Sequence, residues 1–306
     1  MIEDNPYYMP DKETIISTDA LLYFVWEREA IRIAKENKYK GVLTQDPILN
    51  RYKFTNIRRR DDKVSKWIIN NIINIYNKDA RPDLWFVLLI ARLINWPPTL
   101  QYLIENNILL EEALTFNPTK FSKTIEDFRK SGQKAYSAAY MVYPTKKDIG
   151  VVKSLSIAKH IIKPCLEKYD EIDVALYVDN AVESFVQTLS SCFGINTFIA
   201  GQVAADLTYG DAALSAAKDI FTYAPIGPGS SKGLNYLCKR SAYAAWSQKD
   251  FNKTLIDINL EINDKLNIID LTLHDVQNIM CEYSKYTRTV LKEGSPKALY
   301  NPTKEF

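Results

Sequence analysis

Apolar residues recur three and four positions apart along nearly the whole chain, and this spacing restricts the fold more than any motif does. In DDKVSKWIINNIINIY, residues 61–76, Val64, Trp67, Ile68, Ile72 and Ile75 share one side of a helix. TDALLYFVWEREAIRIAKE repeats the pattern from a Thr18 cap. RPDLWFVLLIARLIN repeats it until Pro97-Pro98, and the next helix starts on those prolines. Further helices are expected over 120–132, 148–169, 173–190, 197–208, 211–219, 233–245, 249–267 and 272–291. Few segments alternate with period two, so the spacing predicts an all-α, multi-helical protein. A length of 306 residues suits one domain, 1–306, or two lobes. YPTKKDIG at 143–150 is the expected boundary, giving lobes of about 1–145 plus 247–306 and about 146–246.

Net charge is only +2, so a nucleic-acid site would have to be a local patch. Cys165, Cys192, Cys238 and Cys281 form no C-x-x-C pair, and two histidines are too few to complete a zinc cluster, so no metal site is expected. The opening MIEDNPYYMPDKE lacks the basic and apolar regions of a secretory signal, and no run reaches the roughly 18 apolar residues of a membrane span.

The last helix has an unusual distribution of polar residues. In HDVQNIMCEYSKYTR, residues 274–288, Asp275, Asn278, Glu282 and Lys285 fall within an arc of about 80°. Val276, Ile279, Met280 and Tyr283 take the neighbouring arc, with Tyr286 on the border. Solvated charges ordinarily lie opposite the apolar stripe. Here they adjoin it, as in a cleft wall. An isolated Glu282–Lys285 pair would be a surface contact worth roughly 0.3 kcal/mol; Asp275 and Asn278 on the same arc argue for more.

Three other segments hold candidate ligands. In LTQDPILNRYKFTNIRRRDDKVSKW, Arg58, Arg59 and Arg60 are consecutive, so at most two share a cleft. They offer either a guanidinium fork for phosphate or a solvated turn before a helix opened by Asp61 and Asp62. Asn56 suits orienting a polar ligand or closing a turn. In LSSCFGINTFIAGQVAADLTYGD, a turn around Gly194 between two helices outlines a helix-hairpin-helix. Its backbone at Gly194, Asn196 and Thr197 would meet DNA phosphates, whereas a hairpin that only packs is the alternative. Ser190-Ser191-Cys192 stand where the usual L-P-G-V-G pattern has Pro-Gly; Gln202, Asp206 and Asp211 follow. In APIGPGSSKGLN, Gly227, Gly229 and Gly233 crowd together with Ser230, Ser231 and Lys232. They suit an anion nest or a rigid turn fixed by Pro225 and Pro228. The spacing is not that of a Walker A loop, which disfavours ATP hydrolysis or kinase activity.

In chain order, DPILNRYKFTNIRRRDDKVSKW, GQKAYSAAYMV, FGINTFIAGQVAADL, GPGSSKGLN and DVQNIMCEYSKYTR resemble the alpha-glutamyl/putrescinyl thymine pyrophosphorylase group. That group is in turn similar to the helical domain of 5-hydroxymethyl-deoxyuridine DNA kinases. The resemblance covers about 20–302 and is most specific in F-T-N-x-x-R at 54–59 and C-E-x-x-K-Y-x-R at 281–288. It implies a fold like that of helix-hairpin-helix DNA glycosylases. It also implies a DNA-modifying transferase of bacteriophages that hypermodify thymine, working in the host cytoplasm. A separate hydroxymethyluracil DNA kinase first places pyrophosphate on the 5-CH₂–O group in double-stranded DNA. The family member then displaces pyrophosphate with an amine or amino acid.

This chemistry needs preorganised cations for the leaving group, for which Arg58, Arg59, Lys285 and Arg288 are candidates. Gly227, Gly229, Ser230 and Lys232 would add phosphate donors. The incoming amine must lose a proton; Glu282 is the first candidate base, with Asp206 and Asp275 behind it. Asn56, Asp275, Asn278, Gln202 and Tyr286 are candidate substrate-binding residues, and an extruded base would stack on a Tyr or Trp. No cofactor is required, and Mg²⁺ on the pyrophosphate is compatible with the scheme. Two alternatives stay open: a helix-hairpin-helix glycosylase or lyase, and a non-catalytic DNA-binding partner of a hydroxymethyluracil DNA kinase.

Overall fold

The computed structural model describes residues 5–78, 83–137 and 151–301. Its helices run, in chain order, α1 (Thr18–Glu36), α2 (Pro47–Arg51), α3 (Lys63–Ile68), α4 (Asn74–Lys78), α5 (Leu84–Ile94), α6 (Pro97–Glu105) and α7 (Pro118–Lys130). They continue as α8 (Lys153–Ile157), α9 (Lys163–Leu166), α10 (Tyr169–Val174), α11 (Ala181–Ser190) and α12 (Thr197–Asp206). The last three are α13 (Pro228–Leu237), α14 (Gln248–Leu266) and α15 (Leu273–Val290). The protein is all-α: among the described residues the only β pairing is an isolated antiparallel bridge between Tyr52 and Leu299. No described helix is long and apolar enough to cross a membrane.

The chain divides into two compact units, Met1–Asp62 with Phe221–Glu305, and Lys63–Ile220. These limits differ from the expected lobe boundaries, of which 143–150 lies outside the described residues. In the first unit, Leu21, Phe24 and Val25 of α1 join Phe251, Leu255 and Ile262 of α14 and Val276, Ile279 and Tyr283 of α15 in one core. Burial of such side chains is worth about 1.5–3 kcal/mol each, which is why the two ends of the chain close on one another here. In the second unit every residue of α5 is buried, and all of them are apolar except Arg92.

Several helix limits differ from the periodicity, each for a local reason. Ser17, not Thr18, caps α1, its side chain accepting from the Ala20 N–H. A π-helical turn over Ile69–Ile73 joins α3 to α4. Its wider turn shifts the register, so Ile68, Ile72, Ile73 and Tyr76 are buried while Ile75 is 40% exposed. Residues 211–219 form turns rather than a helix. Asp219 accepts the Val182 and Glu183 amides at 3.1 and 2.9 Å, serving the N-terminus of α11 instead. The helix expected over 233–245 starts earlier, at Pro228, and stops at Leu237. There Lys239 turns left-handed (φ 54) and the Arg240 N–H bonds back to the Asn235 carbonyl. Of the stretch expected over 148–169, residues 148–150 lie outside the described ones. Within it α8, a π-helical turn over Ala158–Ile162 and α9 run on without a break. Over 173–190 the end of α10 and a 3₁₀ turn over Ala175–Tyr177 precede α11.

Candidate functional site

The polar arc of α15 first fastens another part of the chain. Thr272 caps the helix: its hydroxyl accepts the Asp275 N–H, and Asp275 Oδ2 accepts the Thr272 N–H at 3.0 Å. The other oxygen of Asp275 accepts the backbone N–H of Arg59 at 2.7 Å. One turn later, Asn278 Nδ2 donates to Thr55 Oγ1 (3.0 Å) and to the Asn56 carbonyl (3.2 Å), while its Oδ1 accepts from Arg59 Nη1 at 3.0 Å. A further turn on, Glu282 Oε2 accepts the Thr55 N–H at 3.3 Å and Oε1 pairs with Lys285 Nζ. Buried Arg28 of α1 donates to the Phe54 and Thr55 carbonyls, with Nη2 at 3.2 Å from each. Side chains at i, i+3 and i+7 of α15 thus hold the segment 54–59 along one edge of the helix.

On the other edge lies α13, and glycine decides how close it comes. A Cβ at Gly233 would overlap the Met280 carbonyl oxygen, and one at Gly229 would overlap Cys281 Sγ. Ser230 is fully buried; its hydroxyl donates to the Gly227 carbonyl (3.0 Å) and accepts from Gln277 Nε2 (3.2 Å). The close approach of α13 to α15 thus uses Gly229 and Gly233, while Gly227 and Ser230 bond to each other at the start of α13. Lys232 turns away, its ammonium 5.4 Å from the Tyr236 and Tyr243 ring centres.

Between these two edges His274, Asn278, Cys281, Lys285 and Arg288 form a strip within about 80° of one another on α15. Asn278 touches one edge and Cys281 the other. Cations dominate the strip. Arg59, Lys285 and Arg288 all act electrostatically on the Cys281 thiol, against the single carboxylate of Glu282, and burial pushes that thiol up before any of them. Burial works against the Lys285 ammonium, yet Glu282 and Cys281 outweigh it and its pKa lies above the ordinary lysine value. Arg288 Nε is buried without a hydrogen-bond partner. His274 Nε2 is likewise unpartnered, and burial, with Arg59 beside it, lowers that imidazole to about 3. Burial also raises Asp275, although the Arg59 and Thr272 bonds oppose it. The strip is suited to binding an anion through fixed cations, with one carboxylate at its edge.

Other sequence candidates fall elsewhere. Arg58 does not join the strip: it donates to Asp270 (2.8 Å) and Glu29 (2.7 Å), so its fork is already filled by carboxylates. Asn56 closes a turn, its Nδ2 donating to the Asp61 carbonyl at 2.8 Å and its N–H to Asp62 at 2.9 Å. Tyr286 lies in the core with its hydroxyl on Asp46 at 2.5 Å, so it is a packing residue and not a wall for substrate. Asp275 likewise spends both oxygens on caps within the chain.

Asp206 belongs to the second unit, where it is fully buried and takes a two-pronged pair from Arg92, at 2.6 Å from Nε and 2.5 Å from Nη2. It is a structural anion, and Gln202, also buried on α12, belongs to that unit too. At the hairpin, Gly194 has φ +80 and lies so near Ile161 that a Cβ would approach its Cγ1 to 2.8 Å. Asn196 caps α12 by accepting the Ile199 N–H at 2.9 Å, and Thr197 opens that helix on the surface.

Sequence reasoning passed over Arg28, His274 and Cys281. Arg28 was visible in principle, since a guanidinium stands on the apolar side of α1, four residues after Phe24 and seven after Leu21. Cys281 was marked only as the first residue of the C-E-x-x-K-Y-x-R run.

Comparison with known proteins places these features in a lineage. The chain is 24% identical over 282 residues to the "5-hmdU DNA kinase" of Bacillus phage SP10, covering 86% of this chain and 42% of that protein. It therefore spans less than half the length of this curated relative. No solved structure matches. The model of the "5-hmdU DNA kinase, helical domain" family matches residues 16–295, which takes in both units, the segment 54–59 and all of α15. The chain belongs to the family of the 5-hmdU DNA kinase helical domain.

Proposed function

We propose that this protein is a DNA base-modifying transferase of a thymine-hypermodification pathway. It would take 5-pyrophosphoryloxymethyl-uracil in double-stranded DNA and replace its pyrophosphate with an amine or amino acid. The observation that carries this reading is the gathering of cations on the α15 strip: Arg59, Lys285 and Arg288 all act on the Cys281 thiol, beside the carboxylate of Glu282. In the reaction the methylene C–O bond breaks and its electron pair leaves with pyrophosphate, while the amine nitrogen forms the new C–N bond. The three cations take the charge that develops on the leaving oxygens. Glu282, steadied by Lys285 and the Thr55 amide, accepts the proton that the amine loses. A separate hydroxymethyluracil kinase supplies the activated base, and the phage relative agrees with action inside the host cell. The scheme requires no cofactor and is compatible with Mg²⁺ carried on the pyrophosphate. The α11–α12 hairpin, with Gly194, Asn196 and Thr197, is assigned to the DNA backbone, in the manner of a helix-hairpin-helix.

The test is incubation with DNA carrying the pyrophosphorylated base and a panel of amines, followed by nucleoside mass spectrometry. A new nucleoside with release of pyrophosphate is expected; unchanged DNA across the panel overturns the transferase. A second reading has its own support, because the matched relative is a kinase of which this chain spans 42%. In that reading the chain holds DNA for a kinase. It requires stimulation of kinase activity that survives Glu282→Gln, whereas the transferase loses its product.

A further inference from the structure

Residues 220–249 contain four cations, Lys232, Lys239, Arg240 and Lys249, and no carboxylate. In a chain where acidic and basic residues are otherwise well mixed, this stretch gives α13 and the loop after it a local positive field. The loop is built, not slack. Asn235 Nδ2 donates to the Ala244 carbonyl at 2.9 Å and to the Ala242 carbonyl at 3.3 Å, and its Oδ1 accepts the Trp246 indole N–H at 2.8 Å. Arg240 stacks on Trp246, 4.0 Å from the ring centre, and donates to the Ala245 carbonyl at 2.8 Å. These bonds fold the loop back along α13, so that Tyr243 reaches Lys232 while remaining 88% exposed. Two acids border the loop: Glu293 accepts from the Tyr236 hydroxyl, and Asp250 follows Lys249.

A large aromatic ring held in solvent by a rigid loop, with cations around it, has no role in packing. It matches the surface that binds unpaired nucleic acid, where cations follow the phosphates and a ring stacks on a base. We propose that Lys232, Lys239, Arg240 and Tyr243 form a DNA-binding face, with the lysines and arginine on the phosphates and Tyr243 against an unpaired base. The choice of DNA rests on the proposed function. The face itself is independent of group transfer, and it adjoins the α15 strip through α13, which packs on Met280 and Cys281.

The experiment measures binding by fluorescence anisotropy to two thymine-containing duplexes, one fully paired and one with a short unpaired gap, across a range of NaCl concentrations. Neither probe carries pyrophosphate and no amine is added, so failure of the transferase reading would leave the measurement untouched. Lys232→Gln with Lys239→Asn should weaken both complexes about tenfold at 0.1 M salt and reduce the log–log salt slope by about 1.8. Asn tolerates the left-handed backbone of residue 239. Tyr243→Ala should weaken the gapped complex about tenfold and the paired one little. A control, Lys12→Gln with Lys38→Asn, removes equal charge from exposed positions and should leave both affinities within twofold. Thermal melts check that every variant folds. The proposal is overturned if the wild type binds neither probe, if the face variants bind as the wild type does, or if the control weakens binding equally.

Discussion

In the second unit Asp206 gives both carboxylate oxygens to Arg92, and their side chains are 0% and 2% exposed. Arg92 also reaches Ser65 (3.0 Å) and Asn95 (3.3 Å). In the first unit Glu282 gives one oxygen to Lys285 and the other to the Thr55 amide, and 36% of the Lys285 side chain stays exposed. Both are pairs of one acid and one base, yet they suit opposite uses. The Arg92–Asp206 pair fills its hydrogen-bonding directions with protein and balances its own charge. The Glu282 pair stands among two further cations, Arg59 and Arg288, which act on the same Cys281 thiol, with Asp275 also beside Arg59. Charge type alone would rank Asp206 and Glu282 as equal candidates; neighbouring cations and access separate them.

The largest expected effect breaks the closed pair. Asp206→Ala should cost about 3–5 kcal/mol, because Arg92 is left buried and uncompensated. Urea unfolding reads this loss, and Arg92→Met with Asp206→Leu should recover most of it. A full-stability Asp206→Ala protein that has lost group transfer would return Asp206 to the catalytic list and undo the contrast.

The open pair should respond in activity more than in stability. Lys285→Met is expected to slow pyrophosphate release about 10²–10³-fold, the effect of losing one preorganised charge at a leaving oxygen. Some stability should go with it, because Glu282 is buried and keeps only the Thr55 amide, but less than for Asp206→Ala, since 36% of the Lys285 side chain is exposed. An inactive protein that is also strongly destabilised would mean that the strip is another structural pair.

Gly233→Ala sharpens the boundary of the open strip. The added methyl meets the Met280 backbone, which cannot rotate away, so about 1–3 kcal/mol of stability should be lost. Gly229→Ala should cost less, because the Cys281 side chain it meets can turn. If instead both proteins melt normally and bind pyrophosphate more weakly, the glycines line an anion nest after all.

How much of this was legible depends on which interactions set each feature. Apolar spacing located α1, α5, α6, α7, α12, α14 and α15 closely, because their burial follows a regular period. It could not register the π turn at Ile69–Ile73, where one widened turn changes the buried set without changing composition. It misread 211–219, a good helix-forming stretch diverted by Asp219 to cap a different helix. The arc on α15 was visible as adjacency of polar and apolar residues. Its partner was not: nothing in a helical period says that Asp275, Asn278 and Glu282 are spaced to hold residues 54–59. The glycines stayed ambiguous for a related reason. Close approach to a phosphate and close approach to a neighbouring helix both require the missing Cβ, and only the identity of the neighbour distinguishes them.

The smallest effect concerns His274, which stands on the open strip beside Arg59. Its folded pKa of about 3 lies below the ordinary imidazole value of 6.5, because burial and the Arg59 charge disfavour the imidazolium. Between those values the unfolded chain binds the extra proton, so stability is fully present above the unfolded pKa and is lost as pH falls toward 3. At up to 1.36 kcal/mol per pH unit, moving from pH 7 to pH 5 should cost about 2 kcal/mol. Asp275 works in the opposite sense, since its raised pKa lets the folded state take a proton before the unfolded chain does. The difference between wild type and His274→Leu therefore isolates the imidazole: urea unfolding at pH 5 and pH 7 should show the steeper loss only where His274 is present. Saturating pyrophosphate should leave that slope in place, because burial, the larger cause, holds the imidazole down with or without an anion beside Arg59. If His274→Leu instead loses stability between pH 7 and pH 5 as steeply as the wild type does, the imidazole is not the group that burial and Arg59 hold neutral.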